Sequence, residues 1–395
     1  MSTRVLMLTQ VFPRARDDSM GAFVFHIADA LAARDIAVEV IAPHAPKLAD
    51  EETFGPVRVH RFRYAPARWE RLAYAGTMHE LVARGIANKI LFACFLFAFV
   101  LKTISVARAA RPRILHAHWW LPGGLIGALA SMLTRASLVI TTHGTDVELL
   151  RRTRWARPLA RFVFARARAI TCGSTYLCDQ LRALDVVDAR RLVVISEPVA
   201  PLFENVPTTT RNPSRTILAV ARLTAQKSID TLLDALALVP DARLKIIGDG
   251  PERATLQNRA RKLNLQDRVT FLGALPPRDL PAQYADCALF ALPSIREGFG
   301  IVFAEALLCG APVIATNTGG AVDIVRDGET GLLVPERDPR ALADAIQKLL
   351  DDPALATRLA TNGAAYARAH FTRDQIAAQF EKIYNGTRTN ADERG

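Results

Sequence analysis

Two glutamates eight residues apart, Glu297 and Glu305, stand in the stretch Pro293–Ala315, PSIREGFGIVFAEALLCGAPVIA. Gly298, Phe299 and Gly300 follow the first of them, and the pattern predicts a helix from Ile301 to Cys309. Glycines let a ligand approach the backbone, and a helix start offers unpaired N–H groups and a positive dipole end to an anion. This is a phosphate cradle with one carboxylate in the loop, beside a sugar, and a second further along the same ligand. Read singly, Glu297 is a helix cap and Glu305 a solvated charge; the glycines and the following CGAPVIA strand favour the cradle. Upstream, Arg222 and Lys227 stand at the end of another strand pattern, where two cations can neutralise a departing diphosphate.

In the first half, a strand ends in His116-Ala117-His118, followed by WWLPGG. H-x-H on a strand puts both imidazoles on one face, so a metal site must be weighed. Such a site needs further ligands, and His143 in THGTD is the only nearby candidate. The preferred reading packs one histidine in the core and aims His118, nearer the strand's carboxyl end, at a sugar hydroxyl. The loop 12–21 follows the first strand and ends at Gly21 before a helix. It lacks G-x-G-x-x-G, which disfavours a nicotinamide cofactor. Gly248-Asp249-Gly250-Pro251 and Gly319-Gly320 read equally as turns or as ligand loops.

These residues need strands to carry them. Short β-branched runs alternate with helical patterns along the whole chain, which predicts an α/β protein of two doubly wound, Rossmann-like domains facing across a cleft. Strands are expected at Val5–Thr9, Ala37–Ala42, Val57–Phe62, Ile114–His118, Leu138–Thr142, Ala169–Gly173 and Leu192–Ser196 in the first half. In the second they are expected at Ile217–Ala221, Leu244–Gly248, Val269–Leu272, Ala288–Leu292, Val313–Thr316 and Leu332–Val334. The stretch 197–214, EPVAPLFENVPTTTRNPS, reads as a linker. That divides the chain into residues 1–196, residues 215–370, and a C-terminal helix with a frayed tail over 371–395, the helix able to pack back on the first domain.

The 395 residues are 50% hydrophobic and 23% charged, which excludes a disordered or collagen-like chain. Five scattered cysteines without CxxC spacing suggest a reduced, cytoplasmic protein. The net charge of +11 is lopsided: residues 1–195 carry 27 Lys and Arg against 15 Asp and Glu, and the remainder 23 against 24. A basic half suits a polyanion, either nucleic acid or an anionic membrane, and no nucleic-acid-binding motif accompanies it. The twelve-residue apolar run Ile90–Leu101 falls short of the roughly 20 residues of a membrane span. Its phenylalanines lie all round the helix, which predicts mainly burial with ends near an interface. The stretch 151–168, RRTRWARPLARFVFARAR, is expected to form an interfacial helix with Arg154, Arg157, Arg161 and Arg168 on one face beside Trp155 and Phe162.

In this order, the landmarks resemble the retaining family-four (group 1) glycosyltransferases of the GT-B fold over nearly the whole chain. VARLTAQKS is similar to that family's G-R-L-x-x-x-K segment, with Ala221 in place of glycine, and PSIREGFGIVFAEA to its E-x7-E set. GDGPE, TGGAVD and DGETGLLVP follow, while LTQVFPRARDDSMGAFV, HAHWWLPGG and THGTD are similar to its acceptor-side landmarks. The resemblance implies metal-independent transfer of a sugar, expected to be a hexose, from a nucleoside-diphosphate sugar with retention, and no cofactor. It implies that Arg222 and Lys227 hold the diphosphate with a backbone contact from Gly21. Glu297 and the amides of Gly298, Phe299, Gly300 and Ile301 would bind the donor sugar, Glu305 the ribose and His118 a distant sugar hydroxyl, with His143 and Asp146 on the acceptor side. The expected acceptor is a glycan or a lipid-linked molecule at the inner face of the membrane, in cell-surface polysaccharide or glycolipid synthesis. Residues 195–199, ISEPV, replace the family's N-G-V-D, and the first loop has one glycine instead of two. A nucleotide-sugar epimerase or hydrolase of the same fold, or a non-catalytic nucleotide-sugar binder, is the alternative.

Overall fold

In the computed structural model the described residues are 3–15, 18, 20–74, 78–204, 206 and 215–386, with only the backbone at position 79. The expected frayed tail after Gly386, and residues 205 and 207–214 of the expected linker, lie outside them. The chain divides into two compact units, residues 1–196 with 376–395, and residues 197–375.

Unit 1 is built on eight strands: β1 (Arg4–Leu8), β2 (Ala37–Pro43), β3 (Glu51–Phe54), β4 (Val57–Phe62), β5 (Ile114–His118), β6 (Ser137–Thr142), β7 (Ala167–Cys172) and β8 (Leu192–Val194). They lie in the order β3-β4-β2-β1-β5-β6-β7-β8. Every pairing is parallel except the β3/β4 hairpin, with Val5 opposite both Val38 and Ile114. The parallel strands are buried on both faces, so they read as apolar runs, whereas β3, EETF on the edge, carries no such signal and was not expected.

The helices of this unit are α1 (Ala22–Ala32), α2 (Met78–Ala83), α3 (Ile86–Ala110), α4 (Leu125–Leu133), α5 (Thr145–Arg152), α6 (Arg157–Arg166) and α7 (Thr175–Arg182). Unit 2 has β9 (Thr216–Val220), β10 (Arg243–Ile247), β11 (Val269–Gly273), β12 (Leu289–Leu292), β13 (Val313–Thr316) and β14 (Leu332–Val334) in an all-parallel sheet ordered β11-β10-β9-β12-β13-β14. Its helices are α8 (Ile229–Ala237), α9 (Arg253–Lys262), α10 (Leu280–Asp286), α11 (Ile301–Leu308), α12 (Pro339–Asp351) and α13 (Pro353–His370). The last helix, α14 (Arg373–Asn385), places Ile376, Phe380, Ile383 and Tyr384 in the core of unit 1.

Three expectations about segments are corrected. Residues 197–203, read as linker, belong to unit 2: Val199 donates its N–H to Phe371 O at 2.9 Å, and buried Phe203 meets Tyr284 edge-on. The apolar run is part of a 25-residue helix, α3, which alone among the described helices is long and apolar enough to cross a membrane. Only one face of α3 is buried, through Phe95, Phe99 and Val106, with Phe62 stacked on Phe99 at 4.6 Å. Crossing a bilayer would strip these rings from the core, and only 28% of the helix's most apolar window is buried, not most of it as expected. The stretch 151–168 is not one helix. A turn over Arg154–Ala156 interrupts it, Pro158 sits in the first turn of α6, and Arg168 lies on β7, so the four arginines share no single face.

Candidate active site

In a doubly wound sheet, ligands bind beyond the carboxyl ends of the strands where the strand order reverses. In unit 2 the reversal lies between β9 and β12, and in unit 1 between β1 and β5. The candidates taken from the sequence sit on loops or helices that follow these strands, apart from His118, the last residue of β5, and from His143 and Asp146, on the loop and helix that follow β6.

After β9 the chain turns through Arg222 and a short turn ending at Lys227; after β12 it runs through Glu297 into α11. The two loops are tied by backbone: Ile295 N–H donates to Gln226 O at 2.7 Å, and the Gln226 amide donates to Arg296 O at 3.2 Å. This brings Lys227 Nζ to 2.5 Å from Glu297 Oε2, both side chains mostly shielded from water. Arg222 is exposed, and its side chain has neither an ion pair nor a hydrogen bond among the described residues. The Glu297–Phe299 loop rests directly on Gly319 and Gly320. A Cβ on Gly319 would lie 2.4 Å from Glu297 O, and one on Gly320 would lie 2.4 Å from Gly298 O. Gly320 N–H donates to Glu297 O at 2.7 Å. The ambiguous glycine pair is therefore the floor of the loop, a role its sequence signal allowed but did not single out.

Gly300 caps α11 in the left-handed region at φ 89°, and Ile301 opens the helix. Phe299 is buried against Phe371, so its backbone, not its ring, faces any ligand of this loop. The GDGPE turn braces the other side, with Leu223 N–H donating to Asp249 O at 2.9 Å and Glu252 N–H donating to Leu223 O at 3.0 Å. Glu305, one turn into α11, accepts from the Tyr284 hydroxyl at 2.9 Å, and burial pushes its carboxyl up to about 7. Tyr284 was not legible as a site residue, because a lone tyrosine on a short helix reads as core.

In unit 1, Gly21 caps α1 at φ 77°, and a Cβ there would lie 2.9 Å from Val11 O, so the loop after β1 folds back on itself. His116 and His118 are both buried at the end of β5. His116 is held on both sides, by Thr141 at 2.7 Å and by the Tyr384 hydroxyl at 2.8 Å, the latter reaching in from α14. Burial holds both imidazoles well below the usual histidine range, His116 at about 3, so both are neutral at pH 7. His118 Nδ1 lies 3.1 Å from His143 Nε2, and its Nε2 is buried with no partner among the described residues. Phe23 and Trp119 flank His143, with ring centroids at 4.7 and 4.6 Å. Asp146 also has a structural part. Its carboxylate accepts backbone N–H groups from Trp120 at 3.1 Å and His143 at 3.0 Å, which locks the WWLPGG loop to the start of α5. Among the described residues, no group of three or more His, Cys, Asp or Glu side chains is spaced to hold a metal ion.

Two doubly wound units with these loops define a GT-B glycosyltransferase. The family models agree: residues 204–366 match "Glycosyl transferases group 1" and residues 19–197 match "Glycosyl transferase 4-like domain". The chain belongs to the group 1 glycosyltransferases. It is 31% identical to the GDP-mannose-dependent alpha-(1-6)-phosphatidylinositol monomannoside mannosyltransferase of Mycolicibacterium smegmatis, over 68% of this chain and 75% of that one. It is 28% identical to the N-acetyl-alpha-D-glucosaminyl L-malate synthase of Bacillus anthracis, over 73% of this chain and 78% of that one. In fold it is similar to the sucrose-phosphate synthase of Thermosynechococcus elongatus, with TM-score 0.79 and 25% identity over 97% and 98% of the two chains. It is also similar in fold to Anabaena HepE, solved with UDP and glucose, with TM-score 0.71 and 22% identity over 97% and 100%.

The Glu305 carboxyl yields a pH prediction. Its value in the folded chain is raised above that of the unfolded chain, so between about 4.5 and 7 the folded state holds the proton more tightly. The stabilisation associated with that proton is complete at low pH and is lost as pH rises towards 7. Wild type should therefore lose on the order of 2 kcal/mol relative to Glu305→Gln between pH 4.5 and 7.5 in urea unfolding. Parallel profiles would show that the carboxyl is not raised.

Proposed function

We propose that the chain moves a hexosyl group from a nucleoside-diphosphate sugar to a lipid-linked acceptor at an anionic membrane surface, with retention of configuration and without a metal ion or cofactor. The observation that carries the reading is the Lys227–Glu297 pair, set in a glycine loop beside the free Arg222 at the switch point of unit 2. In this reading Arg222, Lys227 and the N–H groups of residues 298–301 hold the diphosphate and stabilise its charge as it leaves. Lys227 also orients Glu297, whose second oxygen accepts from donor-sugar hydroxyls, while Glu305 accepts from the ribose. His118 is kept neutral by burial, and its unsatisfied Nε2 bonds a sugar hydroxyl. The departing phosphate takes the acceptor's proton as the acceptor attacks from the same face. That the neighbouring fold of HepE was solved with UDP and glucose, and that the mycobacterial relative is named for a phosphatidylinositol glycoside, both support this chemistry.

Membrane docking is supported by the surface of unit 1. The outer face of α3 leaves Ile90, Phe97 and Leu101 exposed, neighbouring α4 exposes Met132 and Leu133, and Trp155 is 82% exposed beside α6. Exposed apolar side chains gathered on neighbouring helices suit an interaction site. The excess of basic residues in the same unit favours anionic lipid, at about 1 kcal/mol for each basic residue near the surface.

Two measurements test this function. Arg222→Ala and Lys227→Ala should each lower kcat/KM by roughly 2–4 kcal/mol of transition-state stabilisation in buffer containing EDTA, with label from a nucleotide sugar passing into lipid. Near-normal turnover in both variants, or loss of wild-type activity in chelator with recovery on adding Mn2+, would reject the assignment. Binding to phosphatidylglycerol vesicles should be salt-sensitive, weakened by Arg154→Glu with Arg161→Glu, and weakened again by Phe97→Asp. Equal binding to neutral vesicles, or none at low salt, would reject docking.

A further inference from the structure

Unit 1 holds a cavity of about 390 Å3 at the carboxyl ends of β1 and β5, within the roughly 300–1,000 Å3 range of ligand sites. Its wall comes from four directions. Val11, Met20 and Gly21 close it from the loop after β1, and Trp119 and Leu121 from the loop after β5; Leu149 comes from α5, and Met78, Val82 and Phe92 from α2 and α3. Its few polar side chains are mostly engaged elsewhere. The Thr145 hydroxyl accepts from Trp119 Nε1 at 3.3 Å, and the Asp146 carboxylate is held by backbone N–H groups, which leaves Gln10. A sugar or nucleotide buried there would lose its hydrogen bonds to water and regain almost none, whereas a hydrocarbon loses nothing. Trp119 is held at φ 62°, a conformation rare for a bulky residue, with its ring against both His143 and Phe23. One end of the cavity therefore abuts the histidine pair through Phe23 and Trp119. Its wall at Phe92 belongs to α3, the helix that exposes Ile86 and Ile90 on its other faces.

We propose that this cavity seats the first part of the hydrocarbon chain of the acceptor, and that Phe23, Phe92, Trp119 and Leu149 make the enzyme prefer a lipid-linked acceptor to a water-soluble one. The inference rests on the glycosyltransferase reading for the word acceptor, but not for the cavity's affinity for hydrocarbon. With its tail in the cavity, the acceptor's head group lies beside His118 and His143. A bound peptide or a second copy of the chain is a poorer occupant, because the space is concave and takes a single thin chain.

The test is calorimetric titration of the full chain with inorganic, butyl, octyl and dodecyl phosphate, each below its micelle concentration. Each added buried methylene should tighten binding about fourfold until the cavity is full, giving at least a 100-fold gain from butyl to dodecyl phosphate. Leu149→Trp, which fills the cavity, should weaken dodecyl phosphate at least tenfold and leave inorganic phosphate unchanged; Leu149→Ala, which enlarges it, should move the plateau to a longer chain. A flat series in wild type overturns the inference, as does an identical series in the two variants, which would place the hydrocarbon on the outer surface. Turnover of nucleotide sugars is assayed in parallel. Turnover with a flat alkyl series rejects the cavity's role alone, and a rising series without turnover of any nucleotide sugar rejects the catalytic reading while the hydrocarbon site stands.

Discussion

Backbone lies directly on backbone under the loop that carries Glu297, and the chemistry of unit 2 depends on that contact. Gly319 and Gly320 approach the carbonyls of residues 297 and 298 so closely that any side chain at either position would push the loop away. With the floor fixed, Glu297 can have its carbonyl bonded from below and its carboxylate bonded by Lys227 from the side. The parallel sheet imposes the same discipline from the other direction. The reversal between β9 and β12 opens a crevice at the strands' carboxyl ends, and the cations and carboxylates of unit 2 collect there.

The two units manage charge in opposite ways. Unit 2 pairs a cation with a carboxylate, leaves the Arg222 side chain unpaired among the described residues, and raises one carboxyl, Glu305, to about 7 by burial. Such groups suit a ligand that arrives highly charged. Unit 1 holds His116 and His118 neutral in a dry setting of aromatic rings and threonine hydroxyls, with Tyr384 of the last helix completing the shell around His116. These groups suit uncharged hydroxyls and hydrocarbon. The division explains why a basic first half need not contain a phosphate site at its strand ends: its arginines lie largely on the outer surface, many paired with neighbouring acids such as Glu148, Asp185 and Asp188.

Much of this was legible in the sequence for a physical reason. Doubly buried strands must be apolar and short, so thirteen of the fourteen strands could be read from runs such as ILAV and FALP, and the exception, β3, is a polar edge strand. Glycine-rich turns likewise stood out as places of close approach. Less legible were features that depend on what lies alongside. Whether the apolar run around Phe95 was buried all round depended on which helices flank it, and α3 turned out to be covered on one side only. That Asp146 braces backbone was not legible, because the partners of a carboxylate 26 residues from Trp120 cannot be read from spacing. The arginines of 151–168 were placed on one helix because the turn at Arg154 carries no glycine to announce it.

The central claim is that this chain's own cations and glycine loop, without a metal ion, recognise a diphosphate. The most direct measurement is the affinity of wild type, Arg222→Ala and Lys227→Ala for the tightest-binding nucleoside diphosphate and for the corresponding nucleoside, by calorimetry in EDTA. The account predicts that wild type prefers the diphosphate by well over tenfold and that each variant loses most of that preference while binding the nucleoside as before. An undiminished preference in both variants would contradict it.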